Sequence, residues 1–460
     1  MHRSVARRLL DLSSSASREP LSTSEADVLL RQEERSVVIA QKAIHSIDSN
    51  RLGSNVPCED HFSVAKCVQS DSWLFGVFDG HAGESCSRSL ARRLFDYAQA
   101  SLLPQHLRHP DVPADRRLQW LSSSTDIDLS PVYHSRHLEN LSSYRERFAA
   151  ALASGTVRSV TEALQMAFLS LDEDMSKEAL PDGRGQVNKA LASVAAAGSC
   201  ACVVHVRGPH LHVANVGDSG ALLGVRGANG QGVVARRLTT DHTVENASEV
   251  GRIKAEHPVR ELSTVLKGGR LLGQLYPLRA FGDVRYKWSR ELQEVVLTPL
   301  FDYEMPTHLE TPPYLTARPD VFYHRLTPHD KFLVLATDGL WECLSGERVT
   351  RLLGDHAVGV ETLGQYAAEE GATSRQLTAE LRLRKEGRSK RPLDANAATH
   401  LVRQALGGSA AGGGSVIAQY ERLIESLSLA PQLVRHYRDD ITALVLHFDE
   451  RYLEEHAGGP

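Results

Sequence analysis

The chain has 460 residues, a hydrophobic content of 42%, ample for a large core, and a formal net charge of −5. That balance, with no basic patch carrying interleaved aromatics, argues against nucleic acid as a partner, and no apolar run reaches the roughly 18 residues a membrane span needs. The six cysteines (Cys58, Cys67, Cys86, Cys200, Cys202, Cys343) lack CxxC spacing and framework density, which predicts free thiols in a reducing compartment and no thiolate zinc site.

Residues 1–35 read as an N-terminal tail. Met1 to Leu10 is basic and suits an amphipathic helix, and residues 12–24 carry six serines. Such an Arg- and Ser-rich, acid-poor end fits an organelle transit segment, and equally a frayed terminus. The core is expected to begin near Arg51. Leu74, Phe75, Val77 and Phe78 form a buried strand, and Cys86 to Ala100 a helix with Leu90, Leu94 and Tyr97 on one face. Residues 103–143 are polar and broken by Pro104, Pro110, Pro113 and Pro131, which predicts an insertion without long helices.

Val160, Ala163, Leu164, Ala167, Phe168 and Leu171 recur at helical spacing, and Asp172 to Ala192 reads as a loop. A meander follows at residues 202–206, 211–216 and 221–225, with Cys200 and Cys202 as packing residues. Phe332 to Thr337 is a further strand. Residues 354–436 form a second insertion, including a glycine run at 407–415 that reads as a flexible loop. Meanders with helices after them, and no βαβ alternation, predict an antiparallel α+β architecture.

Length alone suggests about three domains. The acids contradict that division. Asp79 and Asp338 each follow an apolar strand, whereas Glu59-Asp60 and Asp439-Asp440 each precede one. If the two kinds of strand run antiparallel, these carboxylates meet at one rim, where mutual repulsion calls for hard divalent cations. One domain over 36–455 with insertions at about 103–143 and 354–436 is therefore expected.

Six strings, Asp79-Gly80-His81-Ala82-Gly83, Ala214-Asn215-Val216-Gly217-Asp218-Ser219, Leu238-Thr239-Thr240-Asp241-His242, Arg279-Ala280-Phe281-Gly282-Asp283, Ala336-Thr337-Asp338-Gly339-Leu340-Trp341 and Arg438-Asp439-Asp440, resemble the successive motifs of the metal-dependent serine/threonine protein phosphatases of the 2C type. Residues 271–283, 311–317 and 396–401 further resemble the branch that acts on mitochondrial pyruvate dehydrogenase.

The resemblance implies two packed antiparallel sheets flanked by helix pairs and two magnesium or manganese ions held by Asp79, the Gly80 carbonyl, Asp338 and Asp439. Glu59 and Asp60 would hold metal-bound waters, Asp218 a weaker third ion, and a metal-activated water would attack phosphorus. Asp79 and His81 would be catalytic, with His81 as general acid to the leaving serine oxygen. The implied partners are phosphorylated pyruvate dehydrogenase, the lipoyl domain of the acetyltransferase core, with calcium at that docking contact, and a regulatory subunit, in the mitochondrial matrix.

Three positions depart from the pattern. Asn55 stands where many members carry a phosphate-gripping arginine, Glu342 where a second aspartate near the third ion is usual, and Gly220 where an arginine follows the Gly217-Asp218-Ser219 string. Asp241 and Asp283 are expected to serve turns and caps, and Asp440 a role that is either structural or in support of the metal ligands. The same reaction on another phosphoprotein, and a scaffold without catalysis, are the competing readings. Gly217-Asp218-Ser219-Gly220 also mimics a serine-protease nucleophile string, without the upstream histidine and aspartate that reading needs.

Overall fold

Two sheets account for most of the buried apolar runs. The computed structural model describes residues 20–103, 116–123, 131–228, 232–301, 304–358, 371–385, 393–408 and 416–457, and the chain divides into two units. The first takes residues 1–58, 222–236 and 328–452, the second residues 59–221, 237–327 and 453–460.

In the second unit the strands lie in the order Asp320–Arg325, His210–Val216, Gly198–Arg207, Ser72–His81, His61–Cys67 and Leu118–Ser123, and Phe281–Gly282 pairs with Gly198–Ser199. Every pairing is antiparallel. Ser72–His81 and Gly198–Arg207 are buried along almost their whole length, as central strands covered on both faces should be. Helices Ser85–Leu102, Pro131–Ala153 and Val160–Glu178 supply Leu90, Leu94, Phe95, Tyr144, Phe148, Leu164 and Phe168 to a core with Phe78.

Residues 103–143 therefore differ from the expected insertion. Leu118–Ser123 is an edge strand of the sheet, and Pro131 opens a helix whose Leu141, Tyr144 and Phe148 are buried. Proline is tolerated in a first helical turn, so it marks a start here. Residues 104–115 and 124–130 lie outside the described residues. The expected loop at 172–192 is also helical, to Glu178 and again over Lys189–Ala196. Its acids, which look like loop polarity, are internal partners. Asp174 accepts from Tyr97 (2.8 Å), Asp172 pairs with Lys287 (2.7 Å), and Glu178 receives both Nη1 and Nη2 of the buried Arg93 (3.0 and 2.6 Å).

The first unit's sheet runs Arg35–Gln41, Ile44–Leu52, Ile441–Phe448, Asp330–Ala336, Gly220–Arg226, Val233–Arg237. Helices Thr23–Leu30, Gly346–Val358 and Ala397–Gly407 contribute Leu30, Val349, Leu352, Leu401 and Val402 to its core. Two further expectations are corrected here. The tail does not extend to residue 35, because Ser22 and Glu25 form a capping box and Ala26 and Leu30 are buried. Nor is 354–436 wholly peripheral, since Ala397–Gly407 packs in the core. The two segments hold each other. Asp394 accepts from Arg31 (2.8 Å) and Arg403 (2.6 Å), and Arg403 also reaches Asp27 (2.7 Å). Residues 1–19, 359–370, 386–392 and 409–415 lie outside the described residues, which leaves the transit-segment reading and most of the glycine run without a structural counterpart.

His205 and His212 face each other across two strands of the second unit with ring centroids 6.0 Å apart. Burial, helped by the neighbouring His212, pushes His205 down to about 3, and burial with His210 nearby pushes His212 down to about 4. Both are neutral in the folded chain near neutrality but bind protons near 6.5 when unfolded. Their contribution to stability is complete above pH 6.5 and lost as pH falls toward 4, at about 1.4 kcal/mol per pH unit for each extra proton taken up on unfolding. Urea titrations stepped from pH 7 to 4 should show a shallower loss for His205→Phe than for the parent. Parallel curves would contradict the assignment.

Candidate active site

In the second unit the register His61↔Phe78 sets Glu59 and Asp60, before one strand, beside Asp79, Gly80 and His81, at the end of its antiparallel neighbour. The Gly83 N–H donates to Glu59 Oε1 (2.5 Å), and the Ser87 hydroxyl to the Glu59 carbonyl (2.5 Å). A Cβ on Gly80 would stand 2.4 Å from that carbonyl and 2.5 Å from Ser87 Oγ. Only glycine lets the backbone of this turn approach so closely. Asp60 is buried.

Asp79 lies opposite Cys200 on the adjacent strand, and the Cys200 thiol donates to Asp218 Oδ1 (3.1 Å). The tight turn at Gly217 (φ 92°) brings Asp218 back over Cys200. Carboxylate oxygens of Asp79 and Asp218 consequently lie within 4.8 Å of each other. Burial holds the Asp218 carboxyl above the usual carboxylate range, despite the thiol's hydrogen bond. Two carboxylates this close, one buried, form an oxygen donor set that a hard divalent cation would neutralise, so the residues present fit magnesium or manganese.

His81 Nε2 is 2.6 Å from Asp283 Oδ2. Burial alone would lower the imidazole's pKa, but the Asp283 charge and hydrogen bond, with Asp218 and Glu59 nearby, raise it above its ordinary value. The proton needed by a departing oxygen is thereby favoured on the ring near neutrality. Asp283 was expected to cap a turn. It holds the N-cap position of Val284–Tyr286, yet its side chain makes no cap bond there.

In the first unit Thr337 and Thr442 are hydrogen-bonded where the strands Asp330–Ala336 and Ile441–Phe448 meet. This sets Asp338, just past one strand, beside Asp439 and Asp440, just before the other. A Cβ on Gly339 would stand 2.1 Å from the Asp440 carbonyl. Asp439 Oδ1 accepts from the Asp440 N–H (2.7 Å) and pairs with Arg435. Asp440 is buried and accepts from the Ser54 N–H and from the Asn55 N–H (2.9 Å) and Nδ2 (3.0 Å). Its expected structural role is what the contacts describe, and the Asn55 amide is engaged by it. Arg438 donates to Ser54 Oγ (2.6 Å) and the Gly53 carbonyl (2.9 Å), fixing the same loop.

The substitution at Gly220 has a local explanation. A Cβ there would lie 2.0 Å from Arg237 Nη2, so a guanidinium from the next strand fills the space, and it donates to Asp241 (2.9 Å). Ser219 is completely buried, which removes the serine-protease reading. Sequence reasoning missed three residues of this neighbourhood: Cys200 as a partner of Asp218, Asp283 as a partner of His81, and Gly198 between them. Cys200 reads as packing, Asp283 lies in the string Arg279-Ala280-Phe281-Gly282-Asp283 but reads as a turn or cap residue, and no local pattern marks Gly198.

Residues 129–373 match the family described as Protein phosphatase 2C. The chain is 42% identical over 432 residues to human mitochondrial pyruvate dehydrogenase (acetyl-transferring) phosphatase 1, spanning 88% of this chain and 78% of that protein. It is 41% identical over 422 residues to human mitochondrial pyruvate dehydrogenase (acetyl-transferring) phosphatase 2, spanning 87% and 77%. A protein phosphatase 2C homolog of Schizosaccharomyces pombe is 35% identical over 431 residues, 92% of this chain and 85% of that protein. With more than half the chain inside the family match, and relatives this similar over most of their length, the chain belongs to the protein phosphatase 2C family of metal-dependent serine/threonine phosphatases.

Proposed function

We propose that this phosphatase removes phosphate from serine of phosphorylated pyruvate dehydrogenase, reactivating that complex in the mitochondrial matrix. The observation that carries the substrate assignment is the 42% identity, over 88% of this chain, to a mitochondrial pyruvate dehydrogenase phosphatase.

In this reading Asp79, the Gly80 carbonyl, Asp338 and Asp439 hold two magnesium or manganese ions, Glu59 and Asp60 order water around them, and Asp218 serves a third. Ions bound there supply charge screening for the phosphate dianion and a water acidified toward hydroxide. His81 gives its proton to the serine oxygen as the P–O bond breaks. A bidentate guanidinium grip is missing at Asn55, so phosphate binding leans on the ions. Docking on the lipoyl domain of the acetyltransferase core, with calcium at that contact, and a regulatory subunit complete the proposal.

The test compares kcat/KM on phosphorylated pyruvate dehydrogenase with unrelated phosphoseryl proteins, with magnesium or manganese and then with chelator. A preference for pyruvate dehydrogenase that chelator abolishes is expected. Equal rates on every phosphoprotein would overturn the substrate, and no metal-dependent release of phosphate would overturn the reaction.

A further inference from the structure

We infer that Asp283 is a positioning residue for His81, and that Gly198 is a glycine because the His81–Asp283 pair occupies the space its side chain would need. The inference rests on His81 acting as proton donor.

Three independent observations converge on it. The first is the contact itself, Nε2 to Oδ2 at 2.6 Å, with the Asp283 side chain only 2% exposed. The second is backbone geometry. Asp283 sits in the left-handed region (φ 51°, ψ 39°) and makes no cap hydrogen bond with its side chain. An unfavourable conformation kept without a local reason points to a functional one.

The turn is over-determined by its surroundings. Phe281 and Gly282 pair with Ser199 and Gly198, and the Asp283 N–H donates to the Ala197 carbonyl (3.0 Å). Asp172 accepts from the Gly282 N–H (2.8 Å) and from Lys287, which also donates to the Ala280 carbonyl (3.0 Å). Together these contacts aim the carboxylate at the ring.

The third observation is Gly198. It pairs with His81 on one side and Gly282 on the other, and its backbone is not among the positive-φ glycines. Nothing in its own conformation requires glycine. A Cβ there would lie 2.0 Å from His81 Nε2 and 2.2 Å from Asp283 Oδ2. The missing side chain makes room for the pair.

With Nε2 bonded to Asp283, Nδ1 is the ring atom free to deliver a proton. That proton passes to the serine oxygen as the P–O bond breaks and water adds to phosphorus. The Asp283 carboxylate fixes the orientation and tautomer of the ring through the Nε2 contact, the part a carboxylate plays when it holds a catalytic imidazole.

Leaving-group dependence tests this. Asp283→Gly keeps the left-handed turn and removes the carboxylate, and Asp283→Asn removes only the charge. With manganese, Asp283→Gly should lower hydrolysis of a phosphoseryl peptide by about 100-fold, and change that of p-nitrophenyl phosphate, whose leaving group needs no proton, by less than about 3-fold. Joined to His81→Ala it should add no further loss, as for residues acting as a unit, and Gly198→Ala should reproduce the selective defect. Manganese affinity by calorimetry should not change.

Equal losses on both substrates, or losses that add to that of His81→Ala, would overturn the positioning role. If His81→Ala itself shows no leaving-group selectivity, the proton-donor reading fails instead. In the parent enzyme the ¹⁵N shifts of His81 should place a proton on Nε2. A bare Nε2 would overturn the proposal without any variant.

Discussion

Asp79→Asn and Asp338→Asn are each expected to lower turnover of p-nitrophenyl phosphate by about 10³-fold or more under saturating manganese. The amide preserves shape but loses the charge that a hard cation requires. Because an oxygen of Asp79 lies within 4.8 Å of one of Asp218, and Asp218 is buried, Asp79→Asn should also relieve repulsion in the metal-free protein and leave its melting temperature unchanged or higher. Activity would thus fall while stability did not. A turnover number within a few-fold of the parent's in either variant would remove these carboxylates from the reaction.

The second large effect concerns stability. The Arg93 side chain is fully buried, and its guanidinium is bidentate to Glu178, whose Oε1 also accepts from Asn140 Nδ2 (2.5 Å). Glu178→Ala takes the bidentate carboxylate from a buried cation and leaves it the long hydrogen bonds to His137 (3.3 Å) and Ser89 (3.5 Å), which costs about 3–5 kcal/mol. An apolar replacement of both partners, Arg93→Met with Glu178→Leu, should recover at least half of that, because neither charge is then left to desolvate. Urea unfolding followed by tryptophan fluorescence measures both. A cost below about 1 kcal/mol for the single variant would mean that water or another acid replaces Glu178.

What could be read from the sequence follows from how local the signal is. The strand before Asp79, the strand before Asp338 and the strand after Asp440 are continuous apolar runs with an acid at one end, so both the elements and the placement of the carboxylates were legible. Helix Pro131–Ala153 was not, because prolines upstream dominated the reading and its apolar face is sparse, with Leu141, Tyr144 and Phe148 spaced among charges. Helices Thr23–Leu30 and Ala397–Gly407 were hidden for another reason. Each is specified by the other, through Arg31, Asp27, Asp394 and Arg403, and those partners are more than 360 residues apart. The pairing of His81 with Asp283 is likewise a contact across 202 positions, set by strand register that no single motif encodes.

The strand order of the first unit has a bearing on biosynthesis. Ile441–Phe448 lies between Ile44–Leu52 and Asp330–Ala336, so the earliest strands to leave the ribosome must wait, edge unsatisfied, for one of the last. The second unit has all of its strands once Arg325 has emerged. A nascent polypeptide arrested near residue 430 would carry that unit with its sheet complete and the first still gaping, an exposed strand margin of the kind that chaperones shield.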